Sequence, residues 1–359
     1  MSALLTIITC GNEKQTSVHS DDNRICLQSG GVKPVEEMSA AHLQELIQTC
    51  DSDYLTFVNA NTVTTDALAQ IDGEFITELL TNKPAVVVLP IRTVAEHAFV
   101  SPVWAWQLYP AHIASLLTPM SGDVALLLPR EQFQQRPLRE LSNPLHDYLI
   151  RITAVESNIT FTNNPLLGEQ PVYNSHSQTP RLAPANPSRQ QLWLRDHLHA
   201  ACSTPLFAQA KSTTAATALM AGLFLLHDYL EESHALSQSI EGQGDDSSGD
   251  YWHAIMHRRE PDYSNAKYWI RRVGQHPVHS QLYDLLSSNL QNLQADADDT
   301  GQLFLRQIAS LPTWNPTTFV DFCQTCEQAP QTNSYHLACA IQYLEMRLLL
   351  EHCYAAVVN

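Results

Sequence analysis

Two short stretches in the second half of the chain place histidines and carboxylates at helical spacing. On a helix, residues three, four and seven positions apart lie on one face. In the first stretch, the side chains that share a face are His227, Glu231 and His234. In the second stretch they are His253, His257 and Glu260. Because grouped imidazoles and carboxylates can act as general acids and bases, we predict a catalytic or binding site in these stretches.

The second of these stretches also has the spacing of a metal-binding set. His253, His257 and Glu260 could hold Zn²⁺ or another transition metal as three ligands, leaving one position open for water. The same spacing fits polar residues at an interface between helices, where a carboxylate or a carbonyl oxygen satisfies each buried imidazole. The sequence leaves both interpretations open.

A cluster of basic residues follows these histidines. Five cations fall within fifteen residues of a chain whose formal net charge is −17, and they are Arg258, Arg259, Lys267, Arg271 and Arg272. Arginine can bind a phosphate or a carboxylate through two parallel hydrogen bonds, so the cluster predicts a receptor for a small anionic molecule. Alternatively, the cations neutralise acidic side chains nearby. Those acids are Glu231, Glu232, Glu241, Asp245 and Asp246.

The segment 251–269, which contains most of these residues, reads YWHAIMHRREPDYSNAKYW. Pro261 should end one helix, and Asp262 or Ser264 should begin the next, which Gly274 terminates. The segment resembles a motif of uncharacterised bacterial proteins, and this resemblance implies no particular activity. Its aromatic side chains could stack on a sugar or a base, or could form the contacts between short helices.

Helices are the elements that must position this chemistry. The segment 211–240 carries an apolar stripe at helical spacing and predicts one long helix, which would hold the first histidine stretch on a single face. The segment 335–358 predicts a second long helix that closes the domain. We therefore expect an all-helical domain over residues 190–359.

The first half of the chain alternates short β-rich runs with helical stretches, which is typical of an α/β domain. The predicted strands are 4–9, 24–28, 54–58, 85–90, 124–128 and 159–162. Helical spacing in 35–50 and 65–80 predicts helices between them. We expect a mostly parallel, doubly wound sheet in a domain over residues 1–162.

A proline-rich segment lies between the two predicted domains. Residues 163–189 contain five prolines and little apolar periodicity, so we predict a linker there.

The run DSDYLTFVNANTVTTDAL, which begins at Asp51, resembles a segment of family-2-type glycosyltransferases with the GT-A fold. In that segment a hydrophobic strand ends in an Asp-x-Asp motif and continues into a helix. The runs LLTIITCGNE, AVVVLPIR and MSGDVALLLPREQF fit the same family in the same order, so the resemblance covers roughly residues 3–162. It implies a GT-A-like sheet and a nucleotide-sugar site.

The positions that match the Asp-x-Asp carboxylates of that family are Asn59 and Asn61. The resemblance implies that these two residues contact the nucleotide diphosphate. In the family, the carboxylates hold a divalent metal against the diphosphate, and an amide oxygen brings no charge to such a site. We therefore expect either a degenerate domain that serves as a scaffold or binding site, or an active nucleotide-sugar glycosyltransferase. Asp123 and Asp147 lie in the region where a catalytic base is expected.

The charge of the chain excludes some partners. With 37 acidic residues against 20 Lys and Arg, the chain should repel nucleic acid and anionic membranes. No run of about 18 apolar residues predicts a membrane span. The first ten residues lack the basic region of a secretory signal, so we expect a cytoplasmic location with the eight cysteines reduced. The expected partner is a small anionic or sugar-containing molecule. As an alternative function, the protein is a non-catalytic binding or scaffold protein.

Overall fold

The computed structural model describes residues 4–10, 18–19, 25–29, 33, 37–59, 71–91, 103–117, 124–167, 179–184 and 191–359. The chain divides into two compact units, Met1–Asn174 and Ser175–Asn359. The division falls inside the proline-rich segment 163–189. The first unit combines strands with helices, and the described elements of the second unit are all helices.

The first unit contains a sheet of seven strands within the described residues. They are β1 Leu5–Cys10, β2 Val18–His19, β3 Ile25–Ser29, β4 Tyr54–Asn59, β5 Val86–Pro90, β6 Val124–Pro129 and β7 Ile159–Phe161, in the order β2-β3-β1-β4-β6-β5-β7. Strands β1, β5 and β6 are buried along their whole length. This explains why the sequence shows them as continuous apolar runs.

The sheet is mixed, which corrects the expectation of a mostly parallel one. β1 pairs in parallel with β3 and β4, and β5 pairs in parallel with β7. β6 runs antiparallel to both of its neighbours, β4 and β5, and β2 runs antiparallel to β3. Hydrophobic periodicity reports that a strand is buried on both faces but not its direction, so the sequence could not predict this reversal.

Six helices of the first unit are described: α1 Ala40–Thr49, α2 Gly73–Leu80, α3 Ala105–Leu108, α4 Ala111–Leu117, α5 Arg130–Gln135 and α6 Pro144–Thr153. The helix predicted over 65–80 is described from Gly73, because the Asp72 carboxylate accepts hydrogen bonds from Glu74 N and Phe75 N and forms the N-cap. Residues 65–70 lie outside the described residues.

The core of the first unit extends a few residues into the predicted linker. Leu166 N donates to Pro90 O at 2.8 Å, and Leu167 N donates to Ile91 O at 2.9 Å. Both leucine side chains are buried in the core cluster of the sheet. The described chain therefore belongs to the first unit up to and including Leu167, which is consistent with a boundary after Asn174.

The second unit is built from eleven helices among its described residues. They are α7 Leu192–Ala201, α8 Pro205–Ala208, α9 Thr213–Leu226, α10 Leu230–Ser239, α11 Ser248–Arg259, α12 Tyr263–Val273, α13 Pro277–Ser288, α14 Leu290–Asp296, α15 Asp299–Ala309, α16 Pro316–Cys326 and α17 Asn333–Val358. The longest, α17, is the closing helix that the sequence predicts. Within the described ranges, no helix combines the length and the apolar character needed to cross a bilayer.

The prediction of one continuous helix over 211–240 is wrong. Helix α9 ends at Leu226, Asp228 adopts a left-handed backbone conformation with φ +67°, and α10 begins at Leu230. The fully buried guanidinium of Arg259 occupies this break. It donates to Leu225 O, to Asp228 Oδ1 at 2.5 Å and to Arg181 O at 3.2 Å. A buried cation from α11 thus satisfies the groups that the break exposes.

The turn between α11 and α12 agrees with the sequence pattern. Helix α11 ends at Arg259, one residue before the Glu260–Pro261 bond, and the Asp262 carboxylate accepts a hydrogen bond from Asn265 N as the N-cap of α12. Gly274 follows α12 with φ +65°, a conformation that favours glycine.

Candidate metal centre

Three histidines converge where α10 packs against α11. The ring centroids of His234 and His253 lie 4.7 Å apart, those of His234 and His257 lie 5.3 Å apart, and those of His253 and His257 lie 4.8 Å apart. One ring nitrogen from each residue lies within 4.8 Å of the other two. We refer to His234, His253 and His257 as the histidine triad.

Local structure explains this convergence. His253 and His257 are four residues apart on α11, so their rings lie one above the other with an interplanar angle of 21°. His234 lies on α10, which packs against α11, and this packing brings the His234 ring to the other two.

His253 is the most unusual member of the triad. It is 1% exposed, and among the described residues neither of its ring nitrogens has a hydrogen-bond partner. Burial, together with the neighbouring His257, His234 and Arg272, lowers the pKa of His253 to about 3. The imidazole is therefore neutral near pH 7. Each unsatisfied buried polar atom costs about 1–3 kcal/mol, so this arrangement requires an explanation.

The ring of His253 also stacks on the indole of Trp269, with 3.9 Å between the centroids. The guanidinium of Arg272 lies 4.8 Å from the same indole ring. These contacts fix the orientation of the His253 ring and place an aromatic reporter next to the triad.

His257 has a partner for each ring nitrogen. Its Nδ1 lies 3.1 Å from Glu260 Oε2, and its Nε2 lies 3.0 Å from Asn265 Nδ2. The carboxylate accepts the Nδ1 proton, which leaves a lone pair on Nε2. Burial lowers the pKa of His257, and the hydrogen bond to Glu260 opposes this effect. A carboxylate that orients a histidine in this way is typical of the residues that support metal ligands.

Glu260 therefore has a different place from the one its spacing suggests. Its side chain is 57% exposed, and its carboxylate contacts Nδ1 of His257. Among the described residues, the group close enough to share a metal contains His234 in place of Glu260. The reason is that Glu260 lies at the C-terminal cap of α11, beyond its last turn.

His227 and Glu231 are not brought to the triad. The break between α9 and α10 makes His227 the C-cap residue of α9, and Glu231 lies exposed in the first turn of α10. The shared face expected for these two residues and His234 depended on one continuous helix. Of that set, His234 is the residue that the described structure brings into the triad.

The predicted basic cluster is distributed over separate ion pairs. Arg258 is buried with Glu345, which also accepts a hydrogen bond from Tyr251 Oη at 2.8 Å. The remaining pairs are Arg259 with Asp228, Lys267 with Asp321, and Arg272 with Glu241. Arg271 lies exposed. Carboxylates thus neutralise four of the five cations, and of the acids that the sequence suggested, only Glu241 is among these partners.

A second polar group, Asp246, His276 and His352, also has ligand atoms within 4.8 Å of one another. Unlike His253, each of the two histidines of this group has at least one hydrogen-bond partner on its ring nitrogens. His352 Nε2 lies 2.5 Å from Asp246 Oδ2, and this hydrogen bond lowers the pKa of Asp246. His276 Nδ1 accepts from Val278 N at 3.2 Å.

The hydrogen bond from Val278 N determines where the proton of His276 lies. Nδ1 must present its lone pair, so Nε2 carries the proton and donates to Ser248 Oγ at 3.2 Å. A metal ion on Nε2 would need the opposite tautomer, with a proton on Nδ1 facing another N–H group. We therefore interpret this group as a structural contact. It joins segment 246–248 to the start of α13 and to α17. Its members are far apart in sequence, so no spacing pattern indicated them.

In the first unit, Asn59 is the last residue of β4 and lies opposite Cys10 of β1 in parallel register. The side chain of Asn59, and the whole of Asn61 and Asp123, lie outside the described residues. Asp147 is buried on α6 and forms an ion pair with Arg151 at 2.7 Å.

Comparisons of the chain with protein-family models, with curated proteins and with solved structures find no match. They neither support nor contradict the resemblance of the first unit to GT-A-fold glycosyltransferases.

Proposed function

We propose that the second unit binds one divalent transition-metal ion through the histidine triad, and that the metal binds a small anionic ligand, such as a phosphate or a sugar acid. The observation that carries this proposal is the buried, neutral His253, whose two nitrogens lack partners among the described residues while His234 and His257 lie within reach. A metal ion would take the lone pair of one of these two nitrogens.

The size and chemistry of the triad support a transition metal. Donor atoms that share a tetrahedral Zn²⁺ at about 2.0–2.1 Å lie about 3.3 Å apart. The triad nitrogens lie within 4.8 Å of one another, so a bound ion would have to draw the three side chains closer together. Imidazole ligands suit Zn²⁺, Cu²⁺, Ni²⁺ or Co²⁺, whereas Mg²⁺ and Ca²⁺ prefer oxygen ligands.

Three imidazoles leave the ion with its full charge and one open position. A water molecule in that position would have its pKa lowered to about 7, which supports metal-assisted hydrolysis as the reaction class. An anion in the same position would be held by the uncompensated charge. The metal then provides the attraction that the sequence assigned to the basic cluster, since most of those cations are already paired with carboxylates.

The test is metal binding by the full chain after treatment with a chelator. We expect one Zn²⁺ or Co²⁺ per chain by elemental analysis, and an affinity loss on the order of 100-fold for His253→Ala and His257→Ala when measured by calorimetry. His276→Asn is the matched control, because it removes a buried histidine from the other polar group and should retain full metal content. A folded wild-type chain without stoichiometric metal would contradict the proposal.

The first unit supports a second candidate function, which is nucleotide-sugar binding by a GT-A-like domain. The two runs central to the resemblance form the adjacent parallel strands β1 and β4, and Cys10 and Asn59 end them side by side. The carboxyl ends of parallel strands are where such sheets bind ligands. A thermal-shift comparison of UDP-sugars with inorganic phosphate tests this candidate, since a ligand of the first unit should need the nucleoside.

A further inference from the structure

We propose that Asn265 donates a hydrogen bond to the fourth ligand of the metal and thereby makes the site selective for an oxyanion, such as a phosphate or a carboxylate. This inference rests on the metal-binding function proposed above. It concerns the identity of the ligand and a residue that the sequence did not single out.

The position of the Asn265 amide is the first support. Its Nδ2 lies 3.0 Å from His257 Nε2, the nitrogen whose lone pair a metal ion would use. Once the metal takes that lone pair, the amide N–H loses its acceptor. Because Asn265 is half-buried, the N–H needs a new acceptor close by.

The fourth ligand of the metal supplies that acceptor. In a tetrahedral site, an oxygen in the fourth position would lie about 3.3 Å from Nε2. The amide now lies against the Nε2 lone pair, so an entering metal would displace it, and rotation about the side-chain bonds of Asn265 would then bring the N–H against that oxygen. An N–H donor stabilises oxygen ligands and contributes little to a soft anion that coordinates through sulfur.

Hydrogen bonds of the backbone fix the position of Asn265 relative to His257. Asn265 N donates to Asp262 Oδ1 at 3.1 Å, and Asp262 N donates to His257 O at 2.9 Å. The residue is therefore tied to the helix end that carries His257. A donor fixed in this way can discriminate between ligands without first losing much conformational freedom.

The neighbouring cations named below already contact carboxylates, so a neutral donor is the group available to contact the fourth ligand. Arg258 and Arg259 are buried with their own carboxylates, and Lys267 pairs with Asp321. Arg272 contacts Glu241 at 2.8 Å. The group that contacts Nε2 of His257 is instead the uncharged Asn265 amide.

The experiment uses the full chain loaded with Co²⁺, whose visible spectrum reports ligand exchange. Inorganic phosphate, acetate and ethanethiol, whose thiolate coordinates through sulfur, are titrated into the wild type, Asn265→Ala, Asn265→Asp and the control Ser264→Ala. We expect Asn265→Ala to weaken phosphate and acetate binding about tenfold, which is the loss of one hydrogen bond. Its Co²⁺ and ethanethiol affinities should stay unchanged. Asn265→Asp should weaken phosphate further, because two anions then face each other.

Two results would overturn the inference while leaving metal binding intact. Equal phosphate affinity in Asn265→Ala and wild type would remove any role for the amide. Higher phosphate affinity in Asn265→Ala would show that the amide oxygen ligates the metal and competes with the anion. A wild-type chain that takes up no Co²⁺ contradicts the proposed function and this inference together.

Discussion

The guanidinium of Arg259 on α11 binds the carboxylate of Asp228 at 2.5 Å, inside the break that separates α9 from α10. The cation is fully buried, and Asp228 adopts a left-handed backbone conformation at the same position. Because the break redirects the chain, α10 carries His234 toward His253 and His257 on the helix that also supplies Arg259. The ion pair thus positions the histidine triad without contacting it.

Asp228→Ala should lower the free energy of unfolding by about 3 kcal/mol. The substitution leaves the buried Arg259 without its carboxylate and places alanine in a left-handed conformation, and both effects destabilise the fold. Urea denaturation measures the change. Asp228→Asn is the matched control, since asparagine tolerates the conformation and keeps a hydrogen-bond acceptor, so it should cost clearly less. Equal losses in the two variants would contradict this account of the break.

Gly222→Ala should destabilise the second unit by about 1–3 kcal/mol through overpacking. A methyl group on Gly222 would lie 2.4 Å from Trp252 Cζ2 and 2.8 Å from Leu350 Cδ2. Trp252 is fully buried and has no room to move away. Thermal or urea unfolding gives the cost, and a double-mutant cycle with Trp252→Phe gives its cause. The smaller ring should reduce the penalty of the added methyl group, and a penalty unchanged by Trp252→Phe would rule out this contact as its source.

His276→Asn should make the protein less sensitive to acid. Burial lowers the pKa of His276 to about 4 from an ordinary value of 6.5, and His352 and His279 contribute in the same direction while Asp246 opposes it. Between pH 6.5 and 4, the unfolded chain therefore binds a proton that the folded chain does not, and stability falls as the pH falls.

Integrated from pH 7.5 to pH 5, this histidine accounts for about 2 kcal/mol of lost stability. Asparagine keeps an acceptor for Val278 N and does not titrate, so the difference in unfolding free energy between the two pH values should shrink by that amount. Urea denaturation at both pH values measures it. An unchanged difference would show that His276 does not remain neutral in the folded state.

Ni²⁺ should quench the fluorescence of Trp269 when it binds the triad, because the indole stacks on His253 with 3.9 Å between ring centroids. A paramagnetic ion held by that imidazole lies close enough to deactivate the excited ring. Steady-state emission during a Ni²⁺ titration is the measurement. Trp269→Phe should lose the saturable part of the quenching while retaining metal content. Quenching that persists in this variant would locate the ion elsewhere.

The sequence predicted the elements whose signals are local. The shared helix face of His253 and His257, the end of α11 before Pro261 and the start of α12 after a capping residue, here Asp262, all follow from residues within one or two helical turns. The division into a unit with a sheet and a helical unit likewise follows from periodicity and composition.

The sequence could not predict features that depend on distant partners. The break at Asp228 is stabilised by Arg259, 31 residues later, so the apolar stripe of 211–240 continued across it without a signal. The contact of His352 with Asp246 spans 106 residues. The direction of β6 is set by its neighbours in the sheet, and its buried run would look the same in either direction.

The three residues of the triad come from one continuous stretch of chain, with α10 and α11 joined by the loop 240–247. Contacts between segments that are close in sequence form early and reopen without global unfolding. An ion could therefore enter or leave through a local separation of these two helices while the rest of the bundle stays assembled. Exchange of the metal would then follow the opening of a single helical hairpin, and hydrogen exchange in α10 would slow when the ion is bound.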